Sequence, residues 1–299
     1  MLSGTDGAWG TAVRMPDIVH YAIPAFIALL VIEAVADAIM RLDLYEWRDA
    51  AASVTMGVGN VVVNLFAKVI QLGIFTWLYQ FRVFDLGYLW WVWVLAFVAE
   101  EFSYYWFHRT SHECRLFWAS HVVHHSSQRY NLSTALRQTW TGSFMGWIFW
   151  IWEPLVGVPP MMIFAVQAIS LLYQFWIHTQ LIRRVGPLEA VLNTPSHHRV
   201  HHGSNARYID RNHGGMVILF DRLFGTFEPE DEPVVYGLTK NIGSYNPVRI
   251  AFHEWADIVR DVRRARSWRA RWKYVFGRPG WSEDREAADD EHTPQAVHV

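Results

Sequence analysis

Eleven of the chain's 15 histidines fall between positions 108 and 213. Most sit in three runs: His108-x3-His112, His121-x2-His124-His125, and His197-His198-x2-His201-His202. On a helix, spacings of three and four residues line side chains along one face. Neutral imidazole is the commonest side-chain ligand for mid-row transition metals. One such pair is ordinary in a core or on a surface, whereas three clusters carrying nine histidines point to a metal site. A tetrahedral zinc site takes four ligands and a catalytic one three plus water, so this count fits two metals with four or five imidazoles each. Adjacent residues project about 100° apart around a helix axis, so His124-His125 and His201-His202 can each serve two ions. His197 lies off the 198/201 direction. A zinc hydrolase would need a general base, and only Glu113 and Glu100 offer one. The single cysteine, Cys114, excludes an internal disulfide and any Cys-rich metal module.

The elements that position these groups are largely apolar. Hydrophobic residues make up 52% of the chain, with 17 Trp, and charged residues only 18%. The charges crowd into the last third, so a mean hydropathy of +0.06 averages an apolar front and a polar back. That asymmetry predicts membrane spans followed by an aqueous region. A formal charge of −2 argues against a nucleic-acid partner.

Apolar stretches cover 21–40, 53–79 and 86–107, and the third leads directly into His108. Glu33 and Asp37 in the first stretch must face protein or water rather than lipid. Asn60, Asn64, Lys68 and Gln71 share one face of the second, read as hydrogen-bonding glue to the first span or as a polar wall beside a substrate channel. Residues 142–157 and 160–177 read as two passes or a re-entrant hairpin, either of which returns His178 to the side of His108.

The expected architecture is an all-α integral membrane protein with about four to five transmembrane or re-entrant helices. A cytosolic histidine-rich helical di-metal domain caps them. Arg41, Arg48, Arg109, Arg115, Arg129, Arg137, Arg183 and Arg184 cluster on the site side, which the positive-inside rule makes cytoplasmic, in a bacterial-type inner membrane. Divided by composition, 1–20 is an N-terminal polar segment, 21–250 the membrane-embedded domain, 251–280 a basic amphipathic segment and 281–299 a disordered acidic tail. Seven Arg or Lys over 260–273, interleaved with Trp268 and Trp272, fit a helix on an anionic leaflet or a solvated basic helix.

The three boxes behind hydrophobic spans resemble the fatty acid hydroxylase/sterol desaturase superfamily. The wording is similar to its alkylglycerol (ether lipid) monooxygenase branch at Tyr104-Tyr105-Trp106-Phe107-His108, Tyr130-Asn131-Leu132-Ser133-Thr134, Gln174-Phe175-Trp176-Ile177-His178 and Asn193-Thr194-Pro195-Ser196-His197-His198, and the resemblance covers roughly residues 95–250. It implies two irons that activate O2 and oxidise a C–H bond of a membrane lipid. The implied electron donor is a tetrahydropterin or a redox protein. The implied ligands are His108, His112, His121, His124, His125, His178, His198, His201 and His202, with His197 and His213 as further candidates. Glu113 matches an acidic position the branch needs for activity. Glu100, Glu101, Asp210 and Asp221 are expected to accept imidazole N–H groups. A fatty acyl, sterol or aminolipid hydroxylase or desaturase of the same superfamily is the alternative. From another class, a non-catalytic membrane metal- or lipid-binding protein would hold metal without consuming oxygen. No Gly-x-Ser-x-Gly elbow supports a serine hydrolase.

Overall fold

Long unbroken apolar runs favour helices that satisfy their own backbone, and the first two elements follow from that. The computed structural model describes residues 18–286. Among the described residues, helix α1 (Ile18–Met40) and helix α2 (Trp47–Tyr79) are the two that are long and apolar enough to cross a membrane. Their outer faces expose Ile27, Val31, Val35, Val58, Val62 and Phe66. Water disfavours so broad an apolar belt, whereas hydrocarbon solvates it. With 33 residues, α2 is about 50 Å long against a hydrocarbon core of about 30 Å, so it extends beyond the belt.

Helix α3 (Trp90–Glu113) carries Glu100 and Glu101 at mid-length. Cys114 is extended (φ −121°, ψ 120°) and separates α3 from α4 (Arg115–His125). Residues 142–157 are not a regular pass. They form two 3₁₀ turns and the five-residue helix α5 (Trp152–Val156). That helix stops at Gly157, whose φ is +121° and where a Cβ would lie 2.1 Å from the Phe84 carbonyl oxygen; only glycine fits. Helix α6 (Pro160–Trp176) follows and ends just before His178. Phe75, Val92, Trp150, Met162 and Val166 form the core between α2, α3, the 142–157 segment and α6.

The polar groups within these helices are satisfied by protein. Glu33 accepts hydrogen bonds from the Tyr45 hydroxyl (2.6 Å), the Leu132 amide (2.7 Å) and the Thr179 hydroxyl. The Asn60 face is glue, but not between the first two spans. Asn60 donates to the Thr139 carbonyl, Ser143 donates to Asn64, and Lys68 donates to Gln167 on α6. That face therefore fastens α2 to the 139–143 loop and α6, which corrects the expected α1 partner.

Beyond the long helices lie α7 (Pro195–His201), α8 (Leu219–Phe224), α9 (Pro247–Arg264) and α10 (Trp268–Phe276). Among the described residues there is no strand, only two isolated bridges, Leu192–Val217 and Gly203–Tyr236. The basic segment is two helices rather than one, broken at Ala265 and recapped when Ser267 accepts from the Ala270 amide. The acidic tail is also ordered as far as Glu286. Asp284 pairs with Arg266, Glu286 pairs with Arg269 and Lys273, and Trp281 packs on Tyr274. The remainder of the expected tail, and residues 1–17 of the N-terminal polar segment, lie outside the described residues.

Candidate metal centre

The elbow at Cys114 is the first device that builds the site. It folds α4 back along the end of α3, so that His108 and His112 face His121 and His125. Ring centroids lie 4.7 Å apart for His108–His121 and for His112–His125. The second device is α7, a seven-residue helix that opens on Pro195 and carries His198 and His201, with His202 as its C-cap.

The nine histidines expected as ligands converge in two groups. His108, His112, His121, His125 and His201 form one; His124, His178, His198 and His202 form the other. Within each group one nitrogen of every ring lies within 4.8 Å of the others. The neighbours His124 and His125 divide between the groups, as do His201 and His202, and His125 stacks on His202 at 4.4 Å. In the five-ring group, His112 stands 4.7–5.4 Å from each of the other four rings, while His121 and His201 lie 6.2 Å apart on opposite sides.

Tautomers follow from the hydrogen bonds. Nδ1 of His108 donates to the His213 carbonyl (2.8 Å), and Nδ1 of His178 to the Gln174 carbonyl (2.7 Å). Nδ1 of His201 donates to the Arg211 carbonyl (2.9 Å), and Nδ1 of His124 to the Arg137 carbonyl (3.3 Å). A neutral imidazole has one N–H, so Nε2 in each of these rings is a bare acceptor. Yet Nε2 of His108 lies 2.9 Å from that of His121, and Nε2 of His178 lies 3.1 Å from His124 and 2.9 Å from His198. His124 and His178 thus aim two bare acceptors at one another, which repel unless a cation stands between them. Nε2 of His112 and of His201 is buried with no partner. The donor set therefore fits metal ions. Burial and the neighbouring imidazoles hold His121, His125, His198, His201 and His202 well below the usual histidine range, and burial pushes His124 down to about 4. All six are neutral, and so ready to ligate, at physiological pH.

His197 and His213 join neither group. His197 turns toward Phe227. His213 is fully buried beside His112, with centroids 5.2 Å apart, and contributes its main-chain carbonyl to His108. The expected carboxylate acceptors also differ from their assigned role. Glu101 accepts the Met216 and Val217 amides, Asp221 the His213 and Gly214 amides, and Glu100 the Trp150 indole. Only Asp210 faces an imidazole, 3.7 Å from His112 Nδ1. Main-chain carbonyls orient the rings instead, and Glu101 and Asp221 clamp the loop that supplies one of them. Glu113 ends α3 in an ion pair with Arg109 (3.1 Å) and belongs to neither group.

Four further residues support the centre in roles that spacing and composition did not assign them. Arg199, between two ligand candidates, donates to the Thr179, Ile182 and Arg183 carbonyls and pairs with Glu230, tying α7 to the loop after His178. Arg137 is buried in an ion pair with Asp49. Trp118 packs on His112 and His125, and Tyr130 covers His178 and His202.

Comparison with known proteins agrees with this geometry. Residues 93–226 match the fatty acid hydroxylase family model. The chain is 42% identical over 288 residues to human (Homo sapiens) alkylglycerol monooxygenase, covering 93% of this chain and 63% of that protein. It is 38% identical to the Danio rerio alkylglycerol monooxygenase, over 97% of this chain and 66% of the relative. It is 30% identical to an ornithine lipid hydroxylase of Rhizobium tropici, over 47% of this chain and 43% of that protein. The chain thus spans a little under two thirds of the length of the alkylglycerol monooxygenases it matches. No solved structure matches it.

Proposed function

This chain belongs to the fatty acid hydroxylase family, and from that membership we propose that it is a membrane-bound di-iron monooxygenase that hydroxylates a C–H bond of a lipid with O2. The observation that carries the reading is the meeting of nine buried or half-buried imidazoles in groups of five and four. One iron is assigned to His108, His112, His121, His125 and His201, and the other to His124, His178, His198 and His202. Bound iron would supply the reduction of O2 and the oxidation of the C–H bond. The chain's own contribution is positional. Carbonyl acceptors fix each ring with Nε2 inward, Trp118 and Tyr130 close the flanks, and burial keeps water from the reacting carbon. Glu113, held by Arg109 at the end of α3, is assigned a catalytic role outside the two ligand groups.

The proposed substrate is an alkylglycerol ether, a reading supported by likeness to alkylglycerol monooxygenases along nearly the whole chain. Hydroxylation of the carbon α to the ether oxygen gives a hemiacetal, which collapses to an aldehyde and a free glycerol hydroxyl. One O2, two electrons and two protons yield those products and water. The electrons come from a tetrahydropterin or a redox protein. Hydroxylation of an acyl chain or head group is the second reading, supported by the shorter likeness to the ornithine lipid hydroxylase. We place α3 and the 142–176 segment in the membrane beside α1 and α2, with the centre on the cytoplasmic side of a bacterial-type inner membrane. Arg41, Arg48, Arg129, Arg183 and Arg184 at the site-side ends support that orientation.

His124→Ala and His201→Ala test the assignment, because each removes a ligand from a different group. Protein purified without oxygen should fall from two irons per chain to about one in each variant, and both should lose lipid oxidation by mass spectrometry. Retention of both iron and turnover in the two variants would falsify the proposal.

A further inference from the structure

Helix α9 is divided lengthwise by chemistry. At its start, Ile250 and Ala251 pack on Ala52 and Met56 of α2, and Phe252 meets Trp140 at 6.2 Å. Its open side carries a groove of about 560 Å³, lined by Phe252, Trp255 and Val259 and then by Arg260, Arg263 and Arg264. Phe252 and Arg263 are 11 residues apart, about 16 Å along a helix. The apolar end abuts the part of α2 where exposed Val54 and Val58 begin the lipid-facing belt, and the cationic end lies away from it. Arg260 is engaged by Asp257 and Asp261, whereas Arg263 and Arg264 have no acidic partner among the described residues. On the adjoining α10, Trp268 and Trp272 are 81% and 65% exposed at i and i+4, with Arg271 over Trp268. A water-facing helix has no reason to expose two indoles beside free guanidinium groups, whereas the headgroup layer of a bilayer accommodates both.

We propose that this groove docks an anionic phospholipid of the leaflet next to the metal centre. Its acyl chains lie along Phe252, Trp255 and Val259, and its phosphate sits between Arg263 and Arg264. Charge complementarity selects an anionic lipid over a zwitterionic one, and continuity with the belt on α2 selects a bilayer lipid over a soluble anion. The proposal concerns a surface outside the histidine groups and does not depend on the identity of the oxidised lipid.

The test is native mass spectrometry of the full-length protein in detergent, titrated with dioleoyl phosphatidylglycerol or dioleoyl phosphatidylcholine. One phosphatidylglycerol should bind in preference to phosphatidylcholine. Each basic contact to an anionic lipid is worth about fivefold in affinity, so Arg263→Gln with Arg264→Gln should weaken binding roughly thirtyfold. Val259→Gln, which changes only the apolar half, should also weaken it, and it serves if the double variant fails to fold. Equal binding of the two lipids, or unchanged binding in the folded variants, overturns the proposal.

Discussion

An imidazole that gives its Nδ1 proton to a main-chain carbonyl is committed to presenting Nε2 as a bare lone pair. Repeated in His108, His124, His178 and His201, that rule turns a histidine-rich interior into a ligand array. It separates residues that look equivalent in sequence. His197 and His198 are neighbours, yet only His198 points its Nε2 at other rings. His197→Gln should therefore leave iron content at the wild-type value, while His198→Gln should lower it by about one ion per chain, read by elemental analysis. The same burial sets a pH dependence. His124 sits near 4 in the fold against 6.5 for a free histidine, so as pH falls the unfolded chain takes up protons first. The stabilisation is complete above pH 6.5 and lost between 6.5 and about 4, worth about 3 kcal/mol for His124 alone. Metal-free protein in detergent should show a melting temperature that drops across that window, and a flat profile would refute it.

At the scale of elements, the site depends on short connections being held rigidly. The loop over 212–217 carries the carbonyl that orients His108 and is clamped by two carboxylates, Glu101 from α3 and Asp221 from α8. Glu101→Gln keeps the shape but replaces one of the two carboxyl oxygens that accept buried amides with a donor. At about 1.5–3 kcal/mol per such bond, it should lower both melting temperature and iron occupancy, as measured by thermal shift and elemental analysis. Arg137 fastens the 126–141 loop to α2 through Asp49. Arg137→Met leaves a buried carboxylate unpaired, at a cost of about 3–5 kcal/mol, and should abolish folded protein on size-exclusion chromatography. Sequence reading placed both arginines and carboxylates by their composition. Arg115 and Arg137 counted as topological charge, yet Arg115 is bound to Glu254 and Asp261 and Arg137 to Asp49, all within the protein.

At the scale of the molecule, the apolar belt of α1 and α2 and the polar crown of α4 and α7–α10 form one amphiphile, and the proposed orientation puts the crown on the cytoplasmic side. In a Cys114→Ser background, an impermeant maleimide should label a cysteine at Asp85, beyond the far end of α2, in intact cells, and one at Arg183 only after permeabilisation; the opposite pattern would reverse the orientation. How much of this was legible in the chain differs by scale. The spacing of the boxes and the pairing of His124 with His125 and of His201 with His202 pointed to two groups of four or five imidazoles, because helical periodicity is local, whereas the particular nine, His178 among them, came from the resemblance to the family. Composition likewise fixed the apolar front. The membership of each group was settled only when Cys114 broke α3 from α4 and when α6 delivered His178 from 54 positions beyond His124. The exclusion of His197 and His213, the carbonyls in place of the expected carboxylates, and the irregular 142–157 segment were likewise decided by contacts between residues far apart in sequence, which periodicity does not encode.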